Sequence, residues 1–363
     1  MIIGILTQPL SRNYGGILQN YALQQVLREM GHEPYTFDLG LYTWKDWLII
    51  TIKCIIKKII GISCTFQEYP SRRRNQEKIL RKFVTKHITL ASPRCKKPTP
   101  KQILKYKFQA IIVGSDQVWR PKYNYPIEKM FLDFTHGLEL KRIAYAASFG
   151  TSDWEYTEKQ TENCRVLAQK FDAISVREDS GVELCEKYLN VSATHVLDPT
   201  MLLTKDDYNK LIADIPISTE NYLFAYILDE NENKTSFITK IAREKRLTPI
   251  IIGADKELKD SDSIEKWLAY FRDAKFIVTD SFHGTVFCIL FNIPFVVISN
   301  ETRGGARILS ILKMFSLENR LIKKLDDLNK ISSSPINWDF VNNINEQLKE
   351  KSYNLLKSNL IPQ

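Results

Sequence analysis

IVTDSFHGTVFCIL, residues 277–290, passes from β-favouring residues to an apolar helical pattern within a few positions. Phe276, Ile277, Val278 and Thr279 read as a buried strand, and Asp280 and Ser281 as the turn. Phe282, His283, Gly284 and Thr285 then open a helix. A strand running straight into a helix is the building unit of a parallel, doubly wound α/β sheet. The start of a helix offers unpaired N–H groups and partial positive charge, which suit an anion. An imidazole at that place can neutralise charge and move a proton near neutral pH. The combination suggests phosphate-ester or carboxylate chemistry. The plainer reading has Asp280 or Ser281 capping the helix while His283 packs against the next loop.

The same alternation recurs on both sides of this stretch. Strands are predicted at Ile2–Thr7, Pro34–Asp38, Ala110–Gly114, Arg142–Ala146, Ala173–Val176 and Thr194–Leu197, with helices at Gly16–Met30, Glu158–Lys170 and Ser180–Tyr188. A second series follows Asp198-Pro199-Thr200: strands at Tyr222–Leu228, Pro249–Ile252, Lys275–Thr279 and Pro294–Ser299, with helices at Glu232–Lys245, Ile264–Arg272 and Thr285–Phe291. This predicts two Rossmann-like domains facing a cleft, 1–199 and 200–335, and a C-terminal amphipathic helix within 336–363. Ligands of such sheets bind beyond the carboxyl ends of the strands. Four polar clusters fall there: 11–16, 114–119, 175–179 and 279–285. Neither GxGxxG nor GxxxxGK[ST] is present, which argues against a dinucleotide enzyme or a P-loop ATPase.

With 44% hydrophobic and 26% charged residues, the 363-residue chain has the make-up of a soluble globular protein of two medium domains. Its six cysteines form no CxxC pair, and its five histidines have no metal-ligand spacing, so neither a disulfide framework nor a metal site is expected. A reducing cytoplasm is the expected location, and the N-terminal MIIGILTQPLSRNYGG reads as strand and turn rather than signal peptide.

The net charge of +9 is local. Between Glu68 and Lys107 stand thirteen Lys or Arg against two Glu. Just before them, Trp44–Ile60 (WKDWLIITIKCIIKKII) gathers Trp44, Leu48, Ile49, Ile52, Ile55, Ile56, Ile59 and Ile60 on one side of a helical wheel, with Asp46, Lys53, Lys57 and Lys58 opposite and Lys45 as the exception. The stretch about 44–107 is expected to be a basic, amphipathic insertion in the first domain. Its helix is too short and too charged to span a bilayer. Two readings stand open: peripheral contact with the inner face of the cell membrane through 44–60 and 68–107, or a core-facing helix beside a solvated basic face. No nucleic-acid motif accompanies the charge, so no nucleic-acid partner is expected.

NYGGILQNYALQQVL (13–27), IIVGSDQVW (111–119), RIAYAASFG (142–150), ISVRED (174–179), VLDPTML (196–202), DSFHGT (280–285) and TRGGARILSIL (302–312) follow one another in order. Together they resemble the polysaccharide pyruvyl transferase family, from near Asn13 to about Arg320. The resemblance implies a GT-B-like fold and a transferase that uses phosphoenolpyruvate, without a cofactor, to close a pyruvate ketal on two sugar hydroxyls and release phosphate. The acceptor it implies is a cell-surface polysaccharide, such as a capsule or exopolysaccharide, or a lipid-linked precursor.

On this reading His283 is the acid that protonates the donor, as an imidazolium, and Asp116 or Asp280 the base. Arg177, Arg303, Arg307 and the helix start carrying Ser281, Gly284 and Thr285 would hold the donor's anionic groups. Asn13, Tyr14, Gly15, Asn20, Ser115 and Gln117 would line the acceptor side, with Gln24 also toward the cleft. Trp119 is expected in a wall, His195 in a structural role and Asp198 as a turn cap at the domain junction. Members often read Arg-Leu-His-Gly where this chain has Ser281-Phe282-His283-Gly284, so another arginine, such as Arg303, would have to compensate. Two alternatives remain: a GT-B-like glycosyltransferase using a nucleotide sugar, and a catalytically silent glycan-binding homologue.

Overall fold

The computed structural model describes residues 1–11, 13–40, 44–60, 70–253, 262–300, 304–322 and 335–361. Strands Ile2–Leu6 (β1), Glu33–Leu39 (β2), Leu90–Cys95 (β3), Ala110–Val113 (β4), Lys141–Ala147 (β5), Ala173–Val176 (β6) and Thr194–His195 (β7) form a parallel sheet. Its order is β3-β2-β1-β4-β5-β6-β7. A sheet buried on both faces needs continuous apolar strands, and here alternate residues serve two cores. Ile3, Ile5, Ala110 and Ile112 point to one apolar cluster, while Leu6, Ile111 and Val113 point to the other. Helices Tyr14–Glu29 (α1) and Pro70–His87 (α3) cover the first face; Trp119, Phe131 and helix Glu158–Ala168 (α5) cover the second. Between β2 and α3 lies helix Trp44–Ile59 (α2), and between β3 and β4 lies Pro100–Tyr106 (α4).

After helices Asp179–Leu184 (α6) and Lys205–Leu211 (α7) the second parallel sheet begins. Tyr222–Ile227 (β8), Thr248–Gly253 (β9), Phe276–Thr279 (β10), Phe295–Ile298 (β11) and Leu321–Ile322 (β12) lie in the order β12-β11-β10-β8-β9. Helix Glu232–Lys245 (α8) closes one face with Phe237, Ile238 and Ile241. Ile264–Asp273 (α9) and Phe282–Phe291 (α10) close the other, and Gly305–Met314 (α11) follows β11. All ten residues of α10 are buried, as a helix apolar on every side must be. The expected two-lobed α/β architecture is the one the chain adopts.

One apolar cluster is common to both lobes. Tyr14, at the start of α1, stacks on Trp267 of α9 with ring centroids 5.3 Å apart, and its hydroxyl donates to the Asp262 carbonyl at 2.9 Å. The last helix, Trp338–Asn359 (α12), returns to the first lobe, where the Leu197 amide donates to Ser352 Oγ at 3.1 Å. Lys141 Nζ caps the end of this helix through the carbonyls of Asn359 and Ile361.

One expectation needs correction, and two strands add to those expected. The stretch 44–107 is not simply an insertion: α3 buries Ile79, Leu80, Phe83 and Val84 against α1, and β3 pairs with β2 as the sheet's edge strand. The β3 sequence LASPRC lacks apolar alternation because its middle residues, Ser92, Pro93 and Arg94, face water, as suits an edge strand. The two-residue β12 is too short to leave a periodic signal.

Strand order reverses direction at two places, between β1 and β4 and between β8 and β10. At such switch points neighbouring crossovers leave on opposite faces, opening a crevice at the carboxyl ends. The turn after β4 begins at Gly114 and the turn after β10 at Asp280, so both crevices carry sequence motifs.

Because Leu356 of α12 is fully buried in the shared core, Leu356→Ala is expected to cost about 2–5 kcal/mol in urea unfolding. An unchanged midpoint would detach this helix from the cooperative unit.

Candidate active site

The turn after β4 is shaped by close approach. Gly114 has φ +127°, and a Cβ there would fall 2.1 Å from the Tyr145 carbonyl oxygen, so no other residue fits. Asp116 (φ +69°) and Ala146 (φ +48°) also hold left-handed conformations, which side chains other than glycine adopt at a cost. The amides of Val118 and Ser148 donate to the Asp116 carbonyl and hold that geometry. The Asp116 carboxylate accepts from the Gln117 amide at 2.9 Å and from Asn13 Nδ2 at 3.4 Å.

Arg177 leaves the end of β6 and is fully buried. Its Nη1 donates to Asp198 Oδ2 at 2.8 Å and its Nη2 to Asp116 Oδ1 at 3.2 Å. Its guanidinium carbon lies 4.3 Å from the ring centre of Phe282, and that of Arg307, from α11, lies 5.6 Å from the same ring. Arg307 Nη1 reaches Asp116 Oδ1 at 3.5 Å. Asp198 divides its oxygens: Oδ1 accepts from the Thr200 amide and hydroxyl, while Oδ2 accepts from Arg177 and from Ser115 Oγ at 2.9 Å. The same Oδ2 stands 3.8 Å from His283 Nε2.

His283 occupies the first turn of α10, whose N-cap Ser281 accepts from the Gly284 amide. The ring is 4% exposed, and its Nε2 has no hydrogen-bond partner among the described residues. Gly15 packs against it so closely that a Cβ there would lie 2.1 Å from the ring's Cγ and Nδ1. The cluster therefore joins Asp116, Arg177, Asp198 and Gly15 from one lobe to Phe282, His283 and Arg307 from the other. Beside it, a cleft of about 510 Å³ opens between the lobes, lined by Gly150, Thr151, Asp179, Ser180, Gly305 and Lys313 among others.

Burial pushes the His283 ring down to about 4, and Arg177 and Arg307 work in the same direction against Asp198 and Asp116. The ring is therefore neutral at pH 7 in this state, not the imidazolium expected from sequence. Burial acts to raise the carboxyls of Asp116 and Asp198, yet the charge of Arg177 holds both below the usual carboxylate range. Burial lowers Arg307 to about 10, with Arg177 adding like-charge repulsion, so it remains a cation at neutral pH.

Of the residues singled out by sequence, His283, Asp116, Arg177 and Arg307 come together as one charged cluster. Several others do different work. Asp280 accepts from the amides of Leu228 and Asp229, from Lys234 Nζ at 2.8 Å and from Asn300 Nδ2 at 3.1 Å, so its carboxylate ties β10 to the end of β8. Ser281 serves as the helix cap, and Thr285 Oγ1 donates to its carbonyl. A Cβ on Gly284 would meet Thr279 Oγ1 at 2.2 Å, which makes that glycine a packing requirement.

Tyr14 belongs to the lobe contact rather than to an open acceptor face. Asn20 accepts from Thr36 Oγ1 on β2, and Gln24 donates to the same hydroxyl, so both lie between α1 and the sheet instead of lining the cleft. Ser115 donates to the Ala146 carbonyl as well as to Asp198, which makes it a brace for the aspartate. Gln117 Oε1 accepts from Arg120 Nη1 at 3.1 Å, while Asn13 stays exposed beside Asp116. Trp119 forms a buried wall with Phe131, and His195 bonds the Arg177 carbonyl and Ser310, both as expected. Arg303 lies outside the described residues. The sequence reading missed the second face of Asp198, although its place just past a strand end was the available signal.

A family profile described as polysaccharide pyruvyl transferase matches residues 13–302. No curated protein matches significantly. Among solved structures, a UDP-GlcNAc 2-epimerase from Methanocaldococcus jannaschii is 11% identical, with 96% of this chain and 100% of that chain covered and a TM-score of 0.47. A spinosyn rhamnosyltransferase is 9% identical, with 98% of this chain and 99% of that one covered and a TM-score of 0.48. A UDP-N-acetylglucosamine 2-epimerase from Rickettsia bellii is 8% identical, with 99% and 96% covered and a TM-score of 0.44.

The buried ring has a consequence for stability. An unfolded histidine takes up its proton near 6.5, whereas folded His283 resists until about 4, so acidification through that window favours the unfolded chain. The contribution is present above the unfolded value and is lost as pH falls toward the folded one. Glutamine does not titrate, so His283→Gln is expected to show a shallower fall in thermal midpoint between neutral pH and about 4.5 than the parent chain. Equal slopes would mean that the ring is open to solvent.

Proposed function

The chain belongs to the polysaccharide pyruvyl transferase family, and from that premise we propose that it uses phosphoenolpyruvate to build a pyruvate ketal on a sugar of a cell-surface polysaccharide or its lipid-linked precursor. The observation that carries the reading is His283 Nε2: buried, without a hydrogen-bond partner among the described residues, and set among two guanidinium groups and two carboxylates. An orphaned buried ring nitrogen is costly unless a ligand supplies its partner.

Arg177 and Arg307 meet the needs of a donor with a phosphate and a carboxylate, because guanidinium forks bind both groups well. In the ligand-free cluster Asp116 and Asp198 balance those charges. An arriving anion adds negative charge beside His283 and raises its affinity for a proton. Donor binding thus brings a proton to the ring, and Asp198 Oδ2 stabilises the imidazolium so formed.

His283 gives this proton to the methylene carbon of the donor, leaving an oxocarbenium-like centre at the adjacent carbon. The first sugar hydroxyl attacks that centre and passes its proton to Asp116. Asp116 suits the base role better than Asp280 because it lies in the cluster with Arg177 and Arg307, whereas Asp280 is turned to the end of β8 and Lys234. The bond to phosphate oxygen then breaks with its electron pair, which regenerates a cationic carbon. The second hydroxyl closes the ketal and its proton leaves on the phosphate. Transfer of the Asp116 proton back to His283 completes the cycle, with one ketal and one hydrogen phosphate formed.

A positioned proton donor is worth about two to four orders of magnitude in rate. His283→Gln is therefore expected to lower acceptor-dependent phosphate release from phosphoenolpyruvate by at least about 100-fold while the fold persists. Near-parental release would remove His283 from the acid role. Gly15→Ala, which intrudes on the ring from the opposite lobe, is expected to lower the same rate with donor binding largely kept. In thermal-shift titration phosphoenolpyruvate should raise the midpoint. Stabilisation by a nucleoside diphosphate instead would favour a nucleotide-sugar transferase.

A further inference from the structure

Away from the cluster, α2 carries an apolar surface that the fold does not cover. Leu48, Ile49, Ile52, Ile55, Ile56, Ile59 and Ile60 are between 47% and 78% exposed. At helical spacing they occupy an arc of about 140°, while Lys53, Lys57 and Lys58 fall outside it. Scattered single exposed hydrophobics are ordinary, but six on one short helix, with Ile60 just past its end, make a contiguous patch of the kind that marks an interaction surface.

The neighbouring element supplies the complementary signal. α3 turns Ile79, Leu80, Phe83 and Val84 into the core, and Lys78, Lys82 and Lys86 repeat every four residues on its exposed face. Beyond it, Leu104 of α4 is also exposed, with Lys101 and Lys105 on the same short helix. No helix among the described residues is long and apolar enough to cross a membrane. An amphipathic helix of this length with cations on its polar side instead fits the plane of a bilayer interface. A second copy of this chain fits less well, because its matching stretch is equally basic, whereas an anionic surface balances the charge of Lys78, Lys82 and Lys86.

We propose that α2 embeds its isoleucine stripe in the surface of an anionic bilayer while the outward lysines of α3 contact the lipid headgroups. This surface is independent of the ketal-forming reading, and its test needs no turnover. The full chain would be floated with vesicles of phosphatidylcholine alone and with vesicles containing phosphatidylglycerol. Binding is expected to the anionic vesicles and to weaken with added salt. Ile52→Asp combined with Ile56→Asp should reduce the bound fraction by about tenfold or more. Lys78→Glu combined with Lys82→Glu should weaken binding to anionic vesicles selectively. Since Ile52 and Ile56 are exposed, the first pair should keep the parental thermal midpoint and its shift with phosphoenolpyruvate. Failure of the parent chain to float with anionic vesicles would overturn the proposal. So would a parental dimer in sedimentation that the Ile52/Ile56 pair dissolves, since that assigns the stripe to a second copy.

Discussion

A fully buried guanidinium must have its charge answered nearby, and in this molecule that demand falls on Arg177. Removing one partner from a buried ion pair costs about 3–5 kcal/mol, because the remaining charge is left without water or counter-charge. Arg177 is answered twice, by Asp116 and Asp198, and its flat face rests on Phe282. These residues come from the end of β4, the end of β6, the exit from β7 and the start of α10. One charge thus fixes the relative placement of three strand ends and of a helix in the other lobe.

The aromatic contact between lobes has the complementary effect. Tyr14 and Trp267 stack with their planes 8° apart, and the apolar cluster around them is continuous from α1 to α9 and α10. Apolar burial is non-directional and so holds the lobes together without specifying an angle. Direction comes from the hydrogen bonds and close contacts at the crevice. Gly15 against the His283 ring leaves no room for even one methyl group, so a small change in lobe angle would separate or crush that contact. The two switch points face each other because both constraints are met together.

Electrostatic balance explains the resting protonation of the cluster. Two aspartates and two arginines compensate one another, and desolvation keeps the imidazole from adding a third positive charge. A site so balanced responds to a change in net charge rather than to solvent pH alone. Glu178 extends the same logic outward: its Oε1 accepts from Ser148 Oγ and from the amides of Phe149 and Gly150, anchoring the loop that borders the inter-lobe cleft.

Sequence by itself determined the βα alternation, the strand-to-helix passage at His283 and the strand ends that carry Asp116 and Arg177. These follow from periodicity and from turn chemistry, which are local properties of the chain. The edge strand β3 stayed hidden because Ser92, Pro93 and Arg94 in its middle face water, and β12 because it is too short. Tertiary structure alone decided which polar side chain serves the site and which serves the scaffold. Asp280 stands three residues from His283, yet its oxygens are occupied by the β8 end, while Asp198, 85 positions away, presents an oxygen to the ring. Spacing tells which end of a sheet a residue occupies. Which donor reaches which acceptor depends on the packing of two lobes, and no single segment contains that information.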